Sequence, residues 1–76
     1  MRITIVDPVQ TGKNLKNLRK KAGISVRELQ SLLGLAAPQA IYKWQTGEAL
    51  PSVDHLVILA GVLEVPVDEL LATKVV

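Results

Sequence analysis

Gln39 and Lys43 carry the most specific recognition chemistry in this sequence, and they stand four residues apart, on one face of any helix that holds them. A glutamine amide pairs with both N6 and N7 of adenine, and a lysine ammonium donates to O6 or N7 of guanine. Ala40, between them, offers a methyl group to thymine, and the Tyr42 hydroxyl can reach a phosphate. This is the chemistry of reading base edges in duplex DNA. Nothing comparable assembles for catalysis. The chain has no cysteine, its one histidine, His55, has neither a second imidazole nor a carboxylate pair beside it, and no glycine loop that cradles phosphate is present. Thiolate and histidine-built metal sites are excluded on the same grounds, so no enzyme, no metal and no cofactor is expected, and no small-molecule ligand is evident.

To read bases, a helix must be held from behind. The stretch Ser25 to Gly47, SVRELQSLLGLAAPQAIYKWQTG, predicts two short helices joined by a tight turn. Ser25 and Glu28 have the spacing of a capping box, and Ile24 before the cap can pack on Leu29 as a hydrophobic staple. Leu29, Leu32 and Leu33 continue that apolar stripe, which Gly34 ends. Pro38 is tolerated in the first turn of the second helix, expected over 38–46. Ile41 and Trp44, three apart, form its buried side, while Gln39, Ala40, Tyr42, Lys43 and Thr46 are left outside and Gly47 stops it. Such a pair of helices is the arrangement that lays the second one in a major groove.

The rest of the chain supplies a frame. Residues 1–8, MRITIVDP, alternate like a short strand, whose partner is either the tail TKVV, 73–76, or the same strand of a second copy. Thr11 is expected to cap a first helix reaching Ala22, with Leu15, Leu18 and Ala22 inward and Lys13, Lys16, Lys20 and Lys21 outward. Ser52 caps a fourth helix whose Leu56, Leu59, Ala60 and Leu63 share one face, with His55 in a surface or capping role. After Pro66 a last helix over 67–72 closes the core with Leu70 and Leu71, and Asp68 and Glu69 lie at its positive end. Val57, Ile58, Val62 and Val67 exceed what one stripe needs, which points to an oligomer face.

Seventy-six residues make one domain, near the lower limit for a self-sufficient core. The net charge of +2 hides a division: residues 1–45 carry eight basic side chains against two acidic, and residues 46–76 one against five. A basic half that contains the proposed reading helix, backed by an acidic half, orients the molecule towards phosphate. No uncharged run approaches the ~18 residues of a spanning helix, and no signal-peptide pattern opens the chain, so a cytoplasmic protein with no membrane partner is expected.

The segments GKNLKNLRKKAGIS, VRELQSLLGL, PQAIYKWQTGEALPSVDHLVILAGVLEV and VDELL, taken in this order and spacing, resemble the Cro and phage-repressor type of helix-turn-helix regulator, often called the XRE family. The resemblance implies an all-α, compact five-helix, lambda-repressor-like domain over 11–72 with its motif at 25–47, an N-terminal arm or strand over 1–10 and a tail over 73–76. It implies a transcriptional regulator, most simply a repressor in the bacterial nucleoid, that binds a two-fold operator in double-stranded DNA as a homodimer. Val26 stands where many members have a phosphate-holding glutamine, so that contact passes to Arg27, to Thr46 or to the backbone N–H groups at the helix start, with Tyr42, Lys13, Lys16 and Lys20 as further phosphate ligands. Arg19 stands where the family ties its first helix to the rest of the fold, which implies a structural salt bridge. The rival reading keeps this fold as a protein-binding adaptor or antitoxin-like partner.

Overall fold

The first helix, α1 (Pro8–Lys21), begins four residues earlier than expected. Asp7 caps it, accepting a hydrogen bond from the Gln10 N–H at 3.1 Å, and Pro8 occupies the first turn, where a missing N–H costs nothing. Thr11 is therefore not a cap. It lies inside α1, only 2% exposed, where its hydroxyl accepts from the Ala72 N–H at 2.9 Å and donates to the Ala72 carbonyl. The computed structural model describes residues 1–76, and after α1 it contains α2 (Val26–Leu32), α3 (Gln39–Thr46), α4 (Val53–Leu63) and α5 (Val67–Leu70). Two short strands, β1 (Thr4–Val6) and β2 (Thr73–Val75), complete it, and the expected five-helix all-α architecture is borne out.

The strand's partner is the chain's own tail. β1 and β2 run antiparallel with Ile5 opposite Lys74, and the Asp7 N–H donates to the Ala72 carbonyl at 2.8 Å. Thr11 and Asn14, whose amide donates to the Leu70 carbonyl at 3.2 Å, fix the end of α5 against α1. These bonds explain why α5 stops at Leu70 and not at Ala72: the backbone groups that would extend it are taken by α1.

Eight side chains from all five helices form the core: Leu15, Leu29, Ile41, Trp44, Leu56, Leu59, Leu63 and Leu70. The predicted stripe of α4 is buried as expected. Two inward assignments are corrected. Ala22 follows the last residue of α1 as its cap and is exposed, and Leu32 is 59% exposed because Leu29 and Leu33 already fill the short inner side of the seven-residue α2.

Helices α1 to α4 end in one way: a left-handed residue follows the last turn, and the next N–H reaches back to the helix, as Ile24, Leu35, Glu48 and Val65 do at about 3.0 Å. Glycine supplies the left-handed residue at 23, 34 and 47, but α4 uses Glu64, at φ 57°. A side chain there crowds its own carbonyl, at a cost of roughly 1 to 2 kcal/mol, part of which glycine returns as greater freedom in the unfolded chain. Glu64→Gly is expected to stabilise the fold by roughly 0.5 to 1 kcal/mol, which raises the melting temperature of a domain this size by about 2 to 8 °C. A circular-dichroism melt with no gain would show that the carboxylate offsets the strain.

Candidate nucleic-acid interface

Backbone contact holds α3 to α1. Gly12 is buried where the two helices meet, and a Cβ added there would fall against the Trp44 carbonyl oxygen and within 2.7 Å of that of Gln45. One turn further on, Gly47 at φ 81° lies against the start of α1, where a Cβ would come 2.7 Å from the Cα of Val9. The end of α3 thus rests closely on α1 at two points, on backbone at Gly12 and on the backbone and Cγ2 of Val9 at Gly47.

Arg19 adds a polar tie. It is 8% exposed, donates from Nε to Oε1 of Gln45 at 2.9 Å and from Nη1 to the Ile24 carbonyl at 2.8 Å. Its structural role stands, but the expected salt bridge is corrected: both acceptors are neutral. Behind α3, Ile41 and Trp44 are buried, and the His55 ring lies 5.3 Å from that of Trp44 at 46°. His55 Nδ1 is 3.0 Å from the Ser52 hydroxyl, which also accepts from the His55 N–H, so the imidazole belongs to the capping of α4.

With its back fixed, α3 turns Gln39, Tyr42, Lys43 and Thr46 to solvent. Thr46 donates its hydroxyl to the Lys43 carbonyl at 3.1 Å. The helix is one residue shorter than expected, because Pro38 serves as its cap and makes no side-chain capping bond. Ala40 does not face outward with the others. It is half-buried and packs against the core, since it lies one residue before Ile41 on the flank that also carries Trp44.

The lysines of α1 border this surface. Gly12, which touches α3, is followed at helical spacing by Lys16 and Lys20, and Lys13 lies beside it, all three lysines exposed. Arg27 is exposed in the first turn of α2, whereas Val26 packs half-buried against the core and presents no polar group. Sequence reasoning missed Gly12 and Gln45, which position α3 without facing outward. Gly12 did carry a signal: a glycine inside a helix costs about 1 kcal/mol against alanine, which makes one a marker of close packing.

The Helix-turn-helix family pattern matches residues 15–70. A protein of Methanocaldococcus jannaschii named as an HTH-type transcriptional regulatory protein, MJ1164, is 44% identical over 55 residues, which are 72% of this chain and 17% of that protein's length. Among solved structures, the restriction-modification controller protein C.AhdI from Aeromonas hydrophila is similar with a TM-score of 0.75 at 30% identity, over 84% of this chain and 96% of that one. The DNA-binding domain of BldD is similar with a TM-score of 0.72 at 26% identity, over 86% of this chain and 93% of that one.

Gly12→Ala is the sharpest test of how α3 is seated. The added methyl has backbone on its far side, so the helices must separate, and overpacking of this kind costs about 1 to 3 kcal/mol. The variant is expected to unfold at lower urea than wild type, although alanine is the better helix former. Equal or greater stability would mean that α1 and α3 do not touch at Gly12.

Proposed function

The chain belongs to the helix-turn-helix family, and on that premise we propose that it binds duplex DNA sequence-specifically as a transcriptional regulator, with α3 in the major groove. One observation carries the reading: Ile41 and Trp44 lock α3 from behind while Gln39 and Lys43 share its open face. Gln39, in the first turn, reaches an adenine edge, and Lys43, one turn on, reaches guanine. Tyr42, Arg27 and the α1 lysines Lys13, Lys16 and Lys20 hold phosphate on either side, which fixes register and adds salt dependence, and Thr46 joins them by turning its hydroxyl away from the Lys43 carbonyl. Ala40 is at most a flank contact, given its half-buried position. Repression by covering a promoter is the simplest mode of action.

The reading extends to a homodimer on a two-fold site, with half-sites about one helical turn apart. In support, α4 leaves Val53, Val57 and Ile58 exposed, at 76%, 59% and 43%, beside Gly61, where a second backbone has room to approach. An isologous contact would cover this strip on both copies at once.

Selection from a random duplex pool tests base reading. An enriched palindrome is expected, and Gln39→Ala and Lys43→Ala should each lose about 1 to 3 kcal/mol of discrimination at a defined base pair. An absence of enrichment, or variants that bind every sequence as wild type does, would remove the base-reading roles. For the assembly, sedimentation should give a dimer for wild type and a folded monomer for Val57→Asp. A wild type that stays monomeric at the concentrations that saturate DNA would reject the dimer.

A further inference from the structure

Arg19 is a buried cation whose bonds end on an amide oxygen and a peptide carbonyl. These neutral acceptors satisfy hydrogens of the guanidinium without cancelling its charge. Glutamate at position 45 could accept the same bond from Nε, and a charge-assisted bond between two ions is the stronger one. Glutamine gives up that strength and keeps the positive field. The field is poorly screened, because buried charge lies in a medium less polarisable than water. It also has a direction, since Gln45 sits on the inner side of α3 and Gln39 and Lys43 on the outer side of the same two turns.

We propose that Gln45 tunes the affinity of the α3 face for polyanion by leaving the charge of Arg19 uncompensated beneath it. Gln45 is thus a positioning residue that acts through Arg19 and touches no nucleic acid. The inference rests on the DNA-binding reading and adds to it an electrostatic contribution from the interior.

The test uses the full chain and a random-sequence 20-bp duplex of the order of two helical turns, followed by fluorescence anisotropy from low to moderate salt. Gln45→Glu is compared with Lys21→Gln, which removes the same unit of charge from α1 beside Glu64 and Glu69. Gln45→Glu is expected to melt no lower than wild type, yet to bind about fivefold more weakly at low salt, with most of that gap surviving at moderate salt because the charge it cancels is buried. Lys21→Gln should change binding less than about twofold, its charge being exposed and screened. Equal losses in the two variants, or none in Gln45→Glu, would overturn the proposal. Gln45→Met guards against a purely structural effect: it breaks the bond but leaves the Arg19 charge, and is expected to bind the duplex as wild type does. If it weakens binding as much as glutamate does, Gln45 serves only to place α3. A wild type with no salt-dependent affinity for the duplex would instead refute the DNA-binding reading itself, and this inference with it.

Discussion

The contact on which the rest depends is the meeting of two backbones, α1 at Gly12 and α3 at Trp44 and Gln45. Peptide groups are rigid, so a helix seated on peptide groups has few ways to shift, whereas one seated on long side chains can slide as they change rotamer. With that distance fixed, Ile41 and Trp44 join the core leucines of α2, α4 and α5, and Gln39, Tyr42, Lys43 and Thr46 are left on the outer side of α3. The lysines of α1 inherit their place from the same contact, because a helix row that starts at Gly12 runs on through Lys16 and Lys20.

Local signals were legible. Ser25 and Glu28 form the two reciprocal bonds of a capping box, Ser52 caps α4, and Gly34 and Gly47 end α2 and α3, because these features are set by residues close to one another in the chain. Leu56, Leu59, Ala60 and Leu63 were legible for the same reason, as one row of a single helix. What could not be read was set by distant partners. Thr11 has the chemistry of a cap, but a backbone 61 residues away claims its hydroxyl, and Asp7 with Pro8 starts the helix instead. Arg19 faces a glutamine 26 residues further on, and only the fold shows that its acceptors carry no charge. In the candidate site, the outward row Gln39, Lys43 and Thr46 was visible in the spacing, whereas the half-burial of Ala40 depends on how α3 is rolled against its neighbours.

Charge is arranged at two depths. On the surface, lysine and arginine predominate in the first half of the chain and carboxylates in the second. Inside, a single guanidinium lies below α3 without a counter-ion among its bonded partners. Surface charge fades over about 10 Å at moderate salt, and a buried charge persists further, so the two differ in range and in their response to ions.

The joined ends of the chain fix the order in which the fold can close. Ile5 pairs with Lys74 and Thr11 with Ala72, so these bonds at the start of α1 wait for residues 72–75, whereas the contact of Val9 with Gly47 does not. At about 5 to 20 residues per second, synthesis separates those two moments by several seconds, during which the middle helices can already collapse on one another. The last event is then the capture of the tail by α1, and because α1 carries α3 on its other flank, this late clasp completes the support of the face that had formed early.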